Sequence, residues 1–385
     1  MQDTRKFIEG INKRETPFYY YDIELLRNTL KQVCAEVSNN KFHVHYALKA
    51  NANPVILKEI QRAGLGADCV SGGEIAKAIE AGIPASKIVY AGVGKADWEI
   101  NLGLDNDIFC FNVESIPELE VINSLALQKG KVANVALRIN PNVEANTHHY
   151  ITTGLNENKF GISISDLDKV VDVISQLKNV QLIGIHFHIG SQITDMDSFK
   201  GLCLRVDEIQ KYFESRQIQL KHINVGGGLG IDYSAPEENP IADFASYFNV
   251  FREYLHLRPN QELHFELGRS IVAQCGLLIS KVLYVKEGIS KKFAILDAGM
   301  NDLIRPALYQ AFHHIKNISS DEAAEVYDIV GPICESSDTF AKNYYLNKTK
   351  RGDYIAIYSA GAYGEAMASC YNSRSLIKSY SSDDF

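Results

Sequence analysis

From about residue 20 to residue 265, short β-branched runs alternate with helical segments, and this alternation constrains the fold more tightly than any single motif. The candidate strands are Phe42–Ala47, Ala67–Val70, Ile88–Tyr90, Ile108–Phe111, Val132–Ile139, Leu182–His188, His222–Val225 and Glu262–Glu266. Eight runs at βα spacing predict an α/β fold, a (β/α)8 barrel of the TIM type, whose active site gathers at the C-terminal ends of the strands. After Arg269 the texture changes. Ser270–Lys286, Phe293–Asp297, Glu325–Val330 and Asp353–Tyr358 read as strands with few helices between them, which predicts a mostly β C-terminal domain. The opening Thr16–Asp22 also reads as a strand and is a candidate to join that domain. The expected division is a barrel over residues 22–266 and a β-rich domain from residues 1–21 and 267–385.

Composition limits the partners. The chain has 385 residues, 46% of them hydrophobic and 22% charged, as in an ordinary globular protein. A formal charge of −8 and a pI near 5.8 argue against nucleic acid and favour small metabolites. No window approaches the apolar length needed to cross a bilayer, and the N-terminus leads into no signal-type apolar core, so a cytoplasmic location is expected. The seven cysteines, at 34, 69, 110, 203, 275, 334 and 370, are scattered and lack close CxxC spacing. They read as reduced thiols, and no metal site is expected.

Several stretches carry chemistry. In His43-Val44-His45-Tyr46-Ala47-Leu48-Lys49-Ala50-Asn51, an apolar run delivers one lysine toward the interior. A buried ammonium is costly, so Lys49 is either a neutral amine for a carbonyl partner such as pyridoxal phosphate or a lysine past a strand end reaching to water. Alternation in Gly184–Gln192 puts His186 and His188 on one face, as a site or as satisfied core residues. Gly226-Gly227-Gly228-Leu229-Gly230 follows a strand, where missing side chains let backbone N–H groups approach a phosphate, or else it is a flexible turn. Glu266 shares its strand face with His264. A carboxylate there suits the pyridine nitrogen of pyridoxal phosphate, keeping it protonated so that the ring accepts electrons from a carbanion. Cys334-Glu335 is either functional or a buried thiol beside a solvated carboxylate.

Taken together, Tyr46–Asn51, His188–Gln192, Gly226–Gly230, Glu266–Arg269, Cys334–Asp338 and Gly361–Tyr363 resemble the alanine-racemase-like, fold type III pyridoxal phosphate-dependent decarboxylases. The likeness runs from about Pro17 to Tyr371. Two positions depart from the family: Leu267 stands where proline is usual, and Ser337 where glycine is usual. Neither change removes a catalytic group.

The resemblance implies pyridoxal 5'-phosphate as cofactor, with Lys49 as the Schiff-base lysine, His188 stacked on the cofactor face and Glu266 at the pyridine nitrogen. It implies phosphate contacts from Ser191, the backbone of Gly228 and the Tyr363 hydroxyl. Arg269, Arg305, Tyr309 and Tyr363 would bind substrate, and Cys334 with Glu335 would enter from the partner subunit of a homodimer with shared active sites. Glu335, with His148–Gly154 and Lys159-Phe160-Gly161, looks like the type that decarboxylates meso-2,6-diaminopimelate to L-lysine and carbon dioxide, the last step of lysine biosynthesis. Cys334 or a nearby water would reprotonate Cα. The alternatives are action on ornithine, arginine or carboxynorspermidine, and a non-catalytic relative, which should have lost Lys49 or Cys334.

Overall fold

The computed structural model describes residues 4–38, 41–142 and 159–385, so the expectation placed on His148–Gly154 lies outside the described residues. The chain divides into two compact units. One comprises Thr29–Gly230 with Asp243–Gly268, and the other Met1–Asn28, Ile231–Ala242 and Arg269–Phe385.

The first strand, β1 (Phe18–Tyr21), precedes the barrel strands β2 (Phe42–Ala47), β3 (Gly66–Cys69), β4 (Ile88–Tyr90), β5 (Cys110–Val113), β6 (Ala133–Arg138), β7 (Val180–His186), β8 (His222–Asn224) and β9 (Glu262–Leu267). These eight strands pair in parallel and close, β9 against β2, as the expected (β/α)8 barrel. All eight expected runs are present, with ends displaced by no more than two residues. They were legible because parallel strands are covered on both faces and read as apolar runs. The helices start where local chemistry predicts: the Asn53, Ser71 and Ser115 side chains accept from the first-turn N–H groups of Val55, Glu74 and Glu118.

Alternation along β9 separates the two faces of the barrel wall. Phe265 packs outward against Phe248 and Phe251, at centroid distances of 4.9 and 5.1 Å. His264 and Glu266 point the other way, into a polar interior.

The other unit is the mostly β one. Its strands are β10 (Gly276–Glu287), β11 (Lys292–Leu296), β12 (Ile315–Asn317), β13 (Ala324–Val330), β14 (Thr339–Asn347), β15 (Tyr354–Ile357) and β16 (Lys378–Ser381). They run in the order β12-β15-β10-β11-β13-β14, and β1 joins them between β10 and β16. The stretch Ser270–Lys286 is not one strand, as expected from its apolar run. Arg269–Val272 is a helical turn closed by the Ala273 N–H on the Arg269 carbonyl at 2.9 Å, and the strand begins only at Gly276. A stretch of four residues fits either period, so the sequence does not discriminate. No helix among the described residues is long and apolar enough to cross a membrane.

Candidate active site

Lys49 stands just past β2, in the single 3-10 turn Leu48–Ala50. The turn is fastened from both sides: the Tyr46 hydroxyl donates to the Asn51 carbonyl at 2.7 Å, and the Asn51 side chain accepts from the Asn53 N–H at 2.9 Å. Lys49 Nζ lies 3.2 Å from Oδ2 of Asp68 on β3, and the Asp68 side chain is fully buried. Burial, reinforced by the nearby Glu266 charge, pushes the Asp68 pKa up, and Lys49 only partly offsets this.

Glu266 is the hub of the barrel mouth. Its Oε1 accepts from Asn112 on β5 at 3.0 Å and from Asn224 on β8 at 2.8 Å, while His186 Nε2 on β7 lies 2.9 Å from Oε2. Burial alone would raise this carboxyl, but the His186 ring, then Lys49 and His188, overrides it and holds Glu266 well below the usual carboxylate range. The residue is therefore an ionised carboxylate kept in a dry interior by donors from three strands.

The glycine loop lies against this hub. Gly227 donates its N–H to Nδ1 of His188 at 3.4 Å, and the Glu266 N–H donates to the Gly226 carbonyl at 2.8 Å. A Cβ on Gly227 would stand 1.9 Å from the Glu266 carbonyl oxygen, so no side chain fits there. Gly228 has φ +111°, and its carbonyl accepts from the Ile193 N–H at 2.9 Å, which stitches the Ser191 segment to the loop. Burial, with the positive Lys49 and Arg138 nearby, drives the His188 pKa well below its ordinary value, leaving a neutral ring.

The expected substrate arginines gather in the β-rich unit. Arg269 Nη1 donates to the Tyr233 hydroxyl at 2.7 Å, and its guanidinium lies 4.9 Å from the Tyr363 ring centre. Arg305 sits 4.9 Å over the Tyr233 ring and donates to Nε2 of His313 at 2.8 Å. His313 must then donate from Nδ1 to the Tyr358 carbonyl, 2.8 Å away, and burial beside Arg305 lowers its pKa to about 3. Among the described residues, buried Arg305 has no carboxylate partner. Tyr309 ends the short helix that Arg305 begins.

Cys334 and Glu335 are exposed rather than buried. Their loop is held by Asn372, which accepts from the Cys334 N–H at 3.0 Å, and by the Tyr371 hydroxyl, 2.5 Å from Glu335 Oε1. Buried Asp338 staples the same loop by accepting from the Ile333 and Met300 N–H groups at 2.6 and 2.7 Å.

Asp68, Asn112, Asn224 and Tyr233 were not singled out in the sequence, yet each touches an expected site residue. A signal existed for the first three, because a lone Asp or Asn inside a three- or four-residue buried strand needs a polar partner within the barrel.

These residues fit pyridoxal phosphate: an amine, an ionised interior carboxylate, and a glycine loop where any Cβ would collide. The family model for the pyridoxal-binding domain of pyridoxal-dependent decarboxylases matches residues 24–273. The chain belongs to the pyridoxal-dependent decarboxylases. It is 64% identical to the diaminopimelate decarboxylase of Bacteroides thetaiotaomicron, over 98% of each chain, and 41% identical to that of Aquifex aeolicus, over 97% of this chain and 89% of the other. A crystal structure of Helicobacter pylori diaminopimelate decarboxylase complexed with L-lysine superposes with a TM-score of 0.93 at 40% identity, covering 98% of this chain and 94% of the other. Within its class the chain groups with the diaminopimelate decarboxylases.

Proposed function

We propose that the chain decarboxylates meso-2,6-diaminopimelate to L-lysine and carbon dioxide, the last step of lysine biosynthesis, with pyridoxal 5'-phosphate as cofactor. The observation that carries this reading is the buried Glu266 carboxylate, held ionised by Asn112, Asn224 and His186 within the field of Lys49. When bound, pyridoxal phosphate supplies an aldehyde for an amine and a ring that takes up the electron pair left by a departing carboxylate.

The residues divide that work. Lys49 Nζ, beside Asp68, is the amine that would hold the cofactor covalently. Glu266, held ionised by its donors, would keep a proton on the pyridine nitrogen. His188, neutral and fixed by the Gly227 N–H, presents a flat face without competing for that proton. Ser191, the Gly228 backbone and the Tyr363 hydroxyl hold phosphate. Arg269, Arg305 and Tyr309 hold the distal carboxylate, for which a guanidinium fork is the matching donor. Glu335 holds the distal ammonium, and the Cys334 thiol returns the proton to Cα.

The working unit is a homodimer in which Cys334 and Glu335 of each chain complete the other's site. The exposure of both residues in the single chain supports this. All seven cysteines are free thiols, which supports a reducing, cytoplasmic setting.

The test is carbon dioxide release by purified enzyme and cofactor from meso-diaminopimelate, ornithine and arginine in parallel. Turnover confined to meso-diaminopimelate is expected. Comparable release from ornithine or arginine would overturn the substrate assignment.

A further inference from the structure

The floor of the barrel, at the N-terminal ends of its strands, holds a second polar cluster that the decarboxylation chemistry does not use. His43 on β2 pairs in register with His264 on β9, and Glu262 lies two residues before His264 on the same strand. The three therefore converge across the seam at which the barrel closes. His43 Nε2 is 3.6 Å and His264 Nε2 is 3.8 Å from the same oxygen, Oε2 of Glu262, and the three candidate donor atoms all lie within 4.8 Å of one another.

Hydrogen bonding settles which nitrogen of His264 carries the proton. The Lys87 carbonyl can only accept, so His45 must donate to it from Nδ1, 3.0 Å away. His45 is buried between that carbonyl and His264, and no carboxylate among the described residues is hydrogen-bonded to its ring, so its Nε2 is the acceptor. That Nε2 lies 2.9 Å from His264 Nδ1, which must be the donor. His264 Nε2 is left as a bare lone pair, buried and without a hydrogen-bond partner. It faces a carboxylate oxygen, itself an acceptor, at 3.8 Å. Two acceptors directed at each other repel unless a cation lies between them.

We propose that His43, Glu262 and His264 bind one divalent transition-metal ion, Zn2+ being the best match, which clips the first barrel strand to the last. Two imidazoles and one carboxylate form a recognised zinc donor set with an open fourth position for water. Two ligands each about 2.1 Å from a tetrahedral ion stand roughly 3.4 Å apart, so the two histidine–carboxylate separations close by a few tenths of an ångström, and the two imidazoles draw together from within 4.8 Å. The His45–Lys87 relay is the outer support that a metal-binding histidine requires, since it fixes the tautomer and the ring plane. The exposed His43 and Glu262 give the ion a path from solvent. The ion is structural: it ties together the strands whose opposite ends lead to Lys49 and carry Glu266.

The test uses holoenzyme freed of adventitious metal by a chelator and titrated with Zn2+ alone. One Zn2+ per chain is expected, with Tm raised by about 3 °C at a hundredfold excess over Kd. X-ray absorption at the zinc edge should show nitrogen and oxygen neighbours and no sulfur. His43→Ala and the milder His43→Gln and Glu262→Gln should each weaken binding at least tenfold, with the cofactor's visible absorption unchanged. The site is disproved if these variants bind like wild type, if sulfur neighbours place the ion on Cys334 or Cys370, or if no Zn2+ binds up to millimolar concentration.

Discussion

His186 Nε2 lies 2.9 Å from Oε2 of Glu266, with both side chains almost wholly withdrawn from water. An isolated buried carboxylate would take up a proton, and the imidazole, with the amides of Asn112 and Asn224, is what keeps this one charged. The fold thus spends three strands of the barrel on the ionisation of one side chain.

Glu266→Gln retains the shape and an acceptor oxygen but loses the charge. The variant should bind pyridoxal phosphate and keep the wild-type circular dichroism, while kcat falls by about a hundredfold or more, the scale of losing one oriented electrostatic partner. An unchanged kcat would mean that the carboxylate does not control the pyridine nitrogen.

On the proposed reading, Glu335→Gln acts at the other end of the substrate. It should raise KM for meso-diaminopimelate and leave cofactor absorbance alone, because the lost charge-assisted hydrogen bond contributes roughly 1.5–3 kcal/mol. A KM equal to that of wild type would show that Glu335 faces away from the ammonium.

Two inactive variants, Lys49→Ala and Cys334→Ala, should complement when their subunits are dissociated and reassociated together. Half of randomly formed dimers are mixed, and each holds one native site, so about a quarter of wild-type activity should return. With subunit exchange verified, recovery no greater than the sum of the separate variants would place Cys334 in the site of its own chain.

His313 makes stability depend on pH. Its folded pKa is lowered to about 3, so on acidification the unfolded chain takes up the proton first, and stability is lost as pH falls below the unfolded value of about 6.5. Relative to pH 8, this single group should remove about 1.4 kcal/mol at pH 5.5. His313→Gln lacks the effect, so the stability gap between wild type and variant should narrow by that amount in denaturant titrations at the two pH values. A gap of constant size would mean that His313 takes up its proton alike in the folded and the unfolded chain.

The barrel was legible in the sequence because runs such as Ile88–Tyr90 are buried on both faces and read as apolar, and serine and asparagine caps punctuate the helices between the strands. The β-rich unit was harder. Strand β16, Lys378-Ser379-Tyr380-Ser381, is largely polar, and β14 carries exposed Lys342, Asn343 and Tyr345, so neither shows a clean period. Lys49 and Glu266 announce themselves by being charged within apolar runs. Asn112 and Asn224 signal only that each needs a polar partner, and Tyr233 does not signal even that, because the partners are distant along the chain. The floor histidines were invisible for the same reason: only the pairing of β2 with β9 brings His43 and His264 side by side.

The abutment of Gly227 on the Glu266 carbonyl has a metric consequence. The loop that would grip a phosphate and the strand that would grip a ring nitrogen meet backbone to backbone, and a further bond joins Gly226 to the Glu266 N–H. Side chains can swing, but these two jaws cannot slide, so they act as a fixed caliper on whatever lies between them. A cofactor analogue one methylene longer between ring and phosphate would have to shift main chain to be seated, which makes the length of the bound molecule, as much as its charge, a property the barrel measures.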